Sequence, residues 1–355
     1  MSDASPLAVR GAIQDALDSF VTDQRTRLAE LGPRVLPLLA AAEQCVADGK
    51  RLRAGYCYWG WRAAGGDPSQ PGIVRAAAAL EWLQSSALVH DDIMDASDVR
   101  RGRRSMHRAF EQQHRDAAWR GDPARYGIGA GILLGDLLLS WSEEMFAASG
   151  LPPDCLARAA PYLHACKTEV VAGQFLDLTS SAAGDGSVAV AMQIVRYKAA
   201  KYTVERPLHL GAALAGGSPM LLEALSGYGV PVGEAFQLRD DILGVFGDAA
   251  VTGKPAGDDL REGKRTVLLA SAYTNADADQ RAVLDTYVGD PQIDAEAVAT
   301  LRDVMVCTGA LAEVEEQIER LHASGTSMLD EAPLADCEAR EALRTLAGLS
   351  IRRER

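Results

Sequence analysis

The sequence predicts an all-α protein, and two features of its apolar residues support this fold class. Apolar side chains recur at steps of three and four residues, as at Ile13, Leu17, Phe20 and Val21, which is the period of an amphipathic helix. Runs of alternating β-branched and polar residues between turn signals, as strands require, are hard to find. Valine and isoleucine lie mostly inside segments with the helical period.

Clusters of glycine and proline divide the chain into about a dozen predicted helices. These clusters lie at residues 32–33, 65–68, 121–123, 150–153, 184–186, 216–219 and 289–291. None of them is long enough to form a disordered linker between domains. We therefore expect one large all-α domain over residues 1–355.

Composition limits the classes of function. With 355 residues, of which 48% are hydrophobic and 24% charged, the chain can bury a large core. The net charge of −13 argues against a surface that coats nucleic acid or an anionic membrane, since both require basic surfaces.

Six cysteines without a CxxC pair predict reduced structural thiols. No apolar run approaches the length of a membrane span, so we expect a cytoplasmic protein without stable membrane insertion.

A first acidic cluster, Asp91, Asp92 and Asp95, follows an apolar helical segment. On a helix, Asp91 and Asp95 lie one turn apart on the same face, where like charges repel. Packing gives no reason for this arrangement, whereas Mg²⁺ takes one or two carboxylates together with phosphate oxygens. Four arginines follow within residues 100–104, and guanidinium groups match phosphate oxygens. The alternative is that the acids and arginines only pair with one another on a solvated loop.

A second acidic pair, Asp240 and Asp241, also lies inside an apolar helical pattern. Carboxylates on facing helices are one way in which helical bundles build metal sites. Two such helices could hold one diphosphate through shared metal ions. The segment 253–266 that follows is dense in glycine and lysine, which is typical either of a mobile basic flap over an anion or of an ordinary surface loop.

Together with the motifs between Gly49 and Thr266, these clusters resemble those of the trans-prenyl diphosphate synthases, the polyprenyl synthetase family, and most closely those of bacterial geranylgeranyl diphosphate synthases. The resemblance implies an isoprenoid-synthase-type helical bundle around a deep central cavity. It also implies a magnesium-dependent prenyltransferase that condenses isopentenyl diphosphate with dimethylallyl, geranyl or farnesyl diphosphate. Three Mg²⁺ ions are implied, with the metal-binding positions at Asp91, Asp92, Asp95, Asp240 and Asp241.

The resemblance also implies two substrate-binding sites. For isopentenyl diphosphate the matching residues are Lys50, Arg53, Gln84 and Arg101, and for the allylic diphosphate they are Arg100, Gln174, Asp177, Lys198, Gln237, Lys254 and Lys264. The implied catalytic residues are Asp91, Asp92, Asp95, Arg100, Lys198, Asp240 and Lys254. Taken singly, such lysines and glutamines are more often ordinary surface or capping residues, and it is the order of the motifs that favours a site.

Three positions depart from the family pattern. Ala54 stands where the family has proline, and Ala199 where it has a threonine or serine whose hydroxyl is thought to steady the carbocation. Gly244 replaces the third aspartate of the second motif. Asp248 lies too far along the helix from Asp240 to take over the role of that missing aspartate directly. The third ion should then rest mainly on Asp240. The departures at Ala199 and Gly244 leave open a non-catalytic subunit of a heteromeric synthase.

The implied chemistry is ionisation of the allylic diphosphate, attack by the isopentenyl double bond, and loss of a proton to the released diphosphate. His90 adjoins the first cluster, but neighbouring helix positions diverge by about 100°, so we expect it to face away from the reaction. Ser86 and Ala87 are small enough for the growing tail to pass, and Trp82 and Leu83 could form a floor beyond them. This predicts geranylgeranyl diphosphate, with farnesyl or longer products as alternatives.

An enzyme of another class, a terpene cyclase, also ionises a prenyl diphosphate with magnesium. It needs no isopentenyl diphosphate site, and the Asn/Asp, Ser and Glu triad of such enzymes is not found in the C-terminal third of this sequence. Many members of the prenyl diphosphate synthase family are homodimers. The resemblance therefore also implies a homodimer.

Overall fold

The computed structural model describes residues 9–184, 186–247 and 257–351, and helices follow one another through almost all of them. In chain order they are α1 (Arg10–Ala29), α2 (Leu36–Val46), α3 (Leu52–Ala63), α4 (Pro71–Met94), α5 (Met106–Asp116), α6 (Pro123–Ala147), α7 (Pro153–Ala183), α8 (Val188–Ile194), α9 (Arg206–Leu214), α10 (Pro219–Phe246), α11 (Asp258–Arg261), α12 (Val267–Asn275), α13 (Ala278–Tyr287), α14 (Ala295–Cys307), α15 (Ala310–Glu331) and α16 (Cys337–Ile351). A 3₁₀ turn (Pro33–Val35) precedes α2, and a π-helix (Val195–Glu205) joins α8 to α9. The prediction of an all-α protein is confirmed.

The helix boundaries follow the glycine and proline clusters of the sequence. Helix α6 begins at Pro123, and the side chain of Asp122 caps its first turn. Helix α10 begins in the same way at Pro219, where the Ser218 hydroxyl oxygen accepts a hydrogen bond from the Leu221 N–H at 3.2 Å. Proline suits the first helical position because an N–H there would have no partner within the helix, and the caps satisfy the donors that remain.

One short β-hairpin lies between α4 and α5. Its strands are β1 (Val99–Arg100) and β2 (Arg103–Arg104), which pair antiparallel. The two turn residues, Arg101 and Gly102, have φ angles of 52° and 72°, as a two-residue type I′ turn requires. The hairpin was not predicted, because strands of two residues are too short to show alternation in a sequence.

The chain falls into two compact units, the first of which extends to Ala159 and includes Leu210–Gly216. In this unit α4 packs against α1, α3 and α6. Trp82 on α4 is fully buried, and its ring centroid lies 5.8 Å from that of Phe20 and 5.3 Å from that of Trp141. These aromatic contacts fix α4, and with it the acidic cluster at its C-terminal end.

The second unit comprises Ala160–His209 and the C-terminal remainder. At its centre, α10 packs against the π-helix, α15 and α16. A Cβ atom added to Gly233 would lie 2.6 Å from Ala200 Cα, and one added to Gly229 would lie 3.0 Å from Glu205 Cα. Both contacts are made to the π-helix, so its close approach to α10 depends on these two glycines.

None of the described helices combines the length and the apolar composition that crossing a bilayer demands. The cytoplasmic location and the organisation as one domain stay predictions. The six cysteines all lie within the described residues and are free thiols.

Candidate functional site

Asp91 and Asp95 lie at the C-terminal end of α4 and keep the predicted spacing of one turn. The helix ends at Met94, and Asp95 is its C-cap residue with helical backbone angles. The Asp95 N–H donates a hydrogen bond to the Asp91 carbonyl at 2.8 Å, so the turn continues through both residues. The Asp91 side chain is 16% exposed, and Asp95 is half-buried. A rigid helix thus places two carboxylates one turn apart, and carboxylate oxygens are groups that Mg²⁺ accepts as ligands.

Asp92 has a different environment from these neighbours. Its side chain is 4% exposed, and Arg100 donates to its Oδ1 atom from Nε at 2.8 Å and from Nη2 at 2.5 Å. The same guanidinium lies 3.4 Å from Asp91 Oδ2. The pairing of acids with arginines, which was the alternative interpretation of the sequence, therefore occurs here, but the Asp92 carboxylate in it is buried and not on a solvated loop. A buried carboxylate that accepts two such bonds fixes the guanidinium beside Asp91.

Arg101, in the turn of the hairpin, contacts the loop between α2 and α3. Its Nη1 donates to the Asp48 carbonyl at 2.9 Å, and a Cβ atom on Gly49 would lie 3.8 Å from the same nitrogen. Burial lowers the pKa of the Arg101 guanidinium, and nearby Arg51 lowers this pKa further, whereas Glu81 raises it. Several guanidinium groups are thus crowded into one partly buried region, which is a favourable environment for a polyanion.

A cavity beside the hairpin connects these groups. It is lined by residues that include Cys45, Asp48, Ser85, Asp92, Arg100 and Arg101. Burial raises the pKa of the Cys45 thiol to about 12, so this thiol stays neutral and is a poor nucleophile. The other residues predicted to bind isopentenyl diphosphate lie in the same unit, with Lys50 exposed and Arg53 and Gln84 half-buried.

The four residues predicted to control product length lie on α4 in different surroundings. Trp82 and Leu83 are buried, which suits a floor. Ser86 is also buried, and its hydroxyl donates to the Gly135 carbonyl of α6 at 2.7 Å. Ala87 is half-buried. Ser86 therefore packs at the contact between α4 and α6, and Ala87 is the more accessible of the two small residues.

His90 also contacts α6. Its Nε2 atom lies 3.3 Å from the Ile132 carbonyl oxygen and 3.7 Å from Asp136 Oδ1. A Cβ atom on Gly135 would overlap the imidazole ring. His90 thus serves the packing of two helices, and its absence from the chemistry stays a prediction.

In the second unit, the π-helix places Lys198 against α7. The Lys198 Nζ donates to Asp177 Oδ2 at 2.6 Å, which joins two residues predicted from separate motifs. Gln174 is half-buried on the same helix, and Gly173 before it allows the close approach, because a Cβ atom there would lie 2.5 Å from Lys198 N. Ala199, where the family has a hydroxyl, is buried on the π-helix. This π-helix was not predicted, although π-helical turns frequently occur at functional sites.

The second acidic pair lies near the C-terminal end of α10. Gln237 Nε2 donates to Asp241 Oδ1 at 2.8 Å. Burial raises the pKa of Asp241 to about 7, and the charges of Asp259 and Asp240 add to this rise. Asp241 therefore titrates near neutral pH, and a bound cation would favour its ionised form. Asp240 is half-buried, which leaves it the more accessible ligand of the pair.

Asp259, on α11, is a residue that sequence reasoning missed. A Cβ atom built on Gly244 would overlap the Asp259 carboxylate, so this carboxylate lies where the side chain of a third aspartate would begin. Lys264 Nζ lies 3.9 Å from Asp259 Oδ1. The signal in the sequence was an acidic residue inside the glycine- and lysine-rich segment. Lys254 and Asp248, which were considered in the sequence, lie outside the described residues.

The carboxylates fit the chemistry of Mg²⁺, which proteins bind through one or two carboxylates together with substrate phosphate oxygens. Asp91 and Asp95 in the first unit and Asp240 in the second carry carboxylates of this kind, and their role as metal ligands stays a prediction. Across residues 9–184, 186–247 and 257–351, no three or more His, Cys, Asp or Glu side chains are grouped to hold a metal ion by themselves. The number of three ions stays a prediction.

The sequence matches the family model described as polyprenyl synthetase over residues 37–305. It is 32% identical to a geranylfarnesyl diphosphate synthase of Natronomonas pharaonis, over 91% of this chain and 86% of the relative. It is 29% identical to a geranylgeranyl diphosphate synthase of Methanosarcina mazei, over 87% of each chain. The fold is similar to that in a crystal structure of geranylgeranyl pyrophosphate synthase from Corynebacterium glutamicum, which is complexed with isoprenyl diphosphate and magnesium. The two chains superpose with a TM-score of 0.95 over 98% of this chain and 99% of that chain, and their sequences are 42% identical. The helical isoprenoid-synthase fold is thereby confirmed.

Proposed function

This chain belongs to the polyprenyl synthetase family, and we propose that its main product is geranylgeranyl diphosphate. Its reaction class is trans-prenyl transfer with chain elongation, in which isopentenyl diphosphate is added to an allylic diphosphate. The primers expected are dimethylallyl, geranyl and farnesyl diphosphate.

The arrangement at the end of α4 carries the assignment of this chemistry to the chain's own residues. Asp91 and Asp95 lie one turn apart, and Arg100 is held beside Asp91 by two bonds to the buried carboxylate of Asp92. A pair of metal-binding carboxylates next to a fixed guanidinium suits a diphosphate bound through magnesium. Neither charge pairing on a surface nor helix packing requires this combination.

The two substrates are assigned to different groups of residues. We propose that isopentenyl diphosphate is bound in the first unit by Lys50, Arg53, Gln84 and Arg101. The allylic diphosphate is assigned to Arg100, Gln174, Asp177, Lys198, Gln237, Lys254 and Lys264, with Asp91, Asp92, Asp95, Asp240 and Asp241 as its metal-binding carboxylates. The hydrogen bond between Lys198 and Asp177 supports this assignment, since it holds the ammonium group in place without a substrate.

The chemistry needs no protein nucleophile. Arg100 and Lys198 direct positive charge at the leaving diphosphate and so lower the barrier to breaking its C–O bond. Magnesium, when bound, supplies the further neutralisation that lets the diphosphate leave. The electron pair of the isopentenyl double bond then forms the new C–C bond with the allylic cation. The released diphosphate takes the proton that is lost. Water would trap the cation, so the reaction requires that water be kept from it.

The small residues on α4 support a product longer than farnesyl diphosphate. Ala87 is half-buried and Ser86 is small, so neither blocks the tail where a bulky aromatic residue would. Trp82, fully buried against Phe20 and Trp141, is a rigid floor that limits further growth. The similar proteins include both geranylgeranyl and geranylfarnesyl diphosphate synthases, so the twenty-five-carbon product is the main competitor.

We also propose that the protein is a homodimer. Helix α6 exposes Ile128, Ile132 and Leu133, with Leu133 64% exposed. Large apolar side chains grouped on one exposed face are typical of protein contact surfaces. Light scattering on the purified chain should give twice the monomer mass, and a monomeric mass at micromolar concentration would overturn this part of the proposal.

The decisive experiment is incubation of the purified chain with Mg²⁺, isopentenyl diphosphate and each allylic primer in turn, followed by mass analysis of the products. We expect the geranylgeranyl compound from all three primers and no product when EDTA is added. A hydrocarbon product formed without isopentenyl diphosphate would indicate a cyclase. Turnover that requires a second protein would indicate a subunit of a heteromeric enzyme, and a larger main product would refute the assignment of the floor.

A further inference from the structure

Arg51 lies between the two proposed diphosphate ligands Lys50 and Arg53 but has a different environment. It is 5% exposed and precedes α3 in the left-handed backbone conformation, with φ of 56°. This conformation is unfavourable for a residue with a side chain. The surrounding structure must therefore hold Arg51 in place.

The contacts of the Arg51 guanidinium supply this hold. Nη2 donates to the side-chain carbonyl of Gln14 on α1 and to the carbonyl of Val46 at the end of α2. Nη1 lies 3.3 Å from the Asp48 carbonyl and 3.4 Å from Glu81 Oε2 on α4. Groups from three helices and from the loop before α3 thus meet at one guanidinium, which leaves it no access to a substrate.

Glu81 is the only carboxylate among these partners, and it is itself 6% exposed. Its second oxygen, Oε1, accepts a hydrogen bond from the Ala54 N–H at 3.3 Å. Ala54 lies in the first turn of α3, where N–H groups have no partner within the helix. It occupies the position at which the family pattern has proline, and a proline could not donate this bond. Glu81 therefore holds both Arg51 and the beginning of α3.

The two flanking ligands depend on this arrangement. Lys50 is the residue before Arg51, and Arg53 is the second residue of α3, so the backbone at Arg51 sets the direction of both side chains. Gly49 contributes to the same fit, because a Cβ atom there would lie 3.0 Å from Arg51 Nη1 and 3.8 Å from Arg101 Nη1. The loop thus lies directly against two guanidinium groups, one that is buried and one that is proposed to bind substrate.

We propose that the Arg51–Glu81 ion pair is a positioning device for the recognition of isopentenyl diphosphate, which fixes Lys50 and Arg53 without touching the substrate. The inference deepens the proposed function and rests on it, since it takes Lys50 and Arg53 as diphosphate ligands. Both charges of the pair are buried, and replacing only one of them would leave the other uncompensated and destabilise the fold. The test therefore uses a variant that removes both charges.

The double variant Arg51→Gln/Glu81→Gln keeps polar side chains of similar size and leaves no buried charge. Arg51→Lys keeps the charge but replaces the guanidinium fork with a single ammonium. Binding is measured by calorimetry with isopentenyl diphosphate alone and, separately, with a non-ionising thiolo analogue of geranyl diphosphate. We expect the double variant to bind isopentenyl diphosphate at least about tenfold more weakly, since misplacing a binding group by 1 Å has effects of this order or larger. The affinity for the allylic analogue should change less than about twofold, and Arg51→Lys should recover part of the loss.

The matched control is Arg158→Gln, which removes an ion pair with Asp154 (2.9 Å) in the same unit and should leave both affinities unchanged. All binding is measured well below the thermal unfolding midpoint of each variant. A lower midpoint with wild-type affinity for isopentenyl diphosphate would show that the pair is only structural. Equal losses for both ligands would also overturn the positioning role. A wild-type chain that fails to bind isopentenyl diphosphate would instead overturn the proposed function, and the role of the pair with it.

Discussion

The close packing of Gly173 against Lys198 gives a prediction that can be worked out from distances. A Cβ atom on Gly173 would lie 2.5 Å from Lys198 N and 2.8 Å from Lys198 Cα. Non-bonded atoms prefer separations of about 3.5–4.0 Å, so Gly173→Ala must move α7 or the π-helix by roughly 1 Å. The movement cannot be absorbed by a flexible side chain, because both atoms belong to the backbone.

Two effects of this displacement are expected. Inserting a methyl group into a fully packed contact costs about 1–3 kcal/mol of unfolding free energy. Because the Lys198 ammonium is held by Asp177 at 2.6 Å, a shift of the π-helix also moves the charge proposed to act on the allylic diphosphate. A misplacement of about 1 Å can cost about 10²-fold in rate, so kcat/KM for the allylic substrate should fall by about this factor.

Steady-state kinetics with varied geranyl diphosphate and urea denaturation measure the two effects. The matched control is Gly11→Ala on α1, where an added Cβ atom meets nothing within 4 Å. Alanine is the better helix former, so this control should gain up to about 1 kcal/mol in stability and keep wild-type kinetics. If Gly173→Ala behaves like Gly11→Ala in both assays, the π-helix is not held by this contact and the reasoning is wrong.

Three further predictions test the carboxylates and the tail-binding residues. Asp91→Ala should lower kcat by at least about 10³-fold, because it removes charge stabilisation of the leaving group, whereas Asp248→Ala should have a milder effect; equal losses would contradict the ligand assignment. Gly244→Asp should lower the unfolding free energy by only about 0.5 kcal/mol, because the Asp259 carboxylate that it would overlap is the end of a flexible side chain and can turn away, which leaves mainly the repulsion of like charges, and adding Asp259→Ala should restore the urea midpoint. Ser86→Phe should shorten the product by mass analysis and also lower the thermal midpoint, since Ser86 packs against α6; an unchanged chain length would contradict the proposed wall.

Much of the helical architecture was predictable because its signals are local. Helix α6 begins at Pro123 behind a capping Asp122, and each is recognisable from the residue type alone. The spacing of Asp91 and Asp95 was predictable for the same reason, since a helix fixes the relation of residues four apart. The hydrogen bond between Lys198 and Asp177 agrees with their joint assignment, but that assignment came from the resemblance and not from any local rule.

The features that were missed depend on contacts between distant parts of the chain. The π-helix is packed between Gly173 on α7 and Gly233 on α10, and a glycine in a sequence does not reveal what lies against it. The Arg51–Glu81 pair likewise joins residues on two elements. Before the structure, Arg51 was only one more basic residue beside two proposed ligands. Neither the helical spacing of apolar residues nor a sequence motif carries information about such partners.

Two of the departures from the family pattern, Gly244 and Ala54, each lie beside a carboxylate of another element. They show why a motif must be compared in space as well as in sequence. At Gly244 the missing side chain leaves room that the Asp259 carboxylate fills. At Ala54, where the family has proline, the backbone N–H donates a hydrogen bond to the Glu81 carboxylate. In both places a carboxylate from another element contacts the substituted position, at Gly244 through the space of the missing side chain and at Ala54 through the backbone N–H, so the loss of a motif residue and the presence of its neighbour have to be judged together. A substitution that restores the family residue at one of these positions, without changing that neighbour, should therefore disturb the structure more than it helps the function.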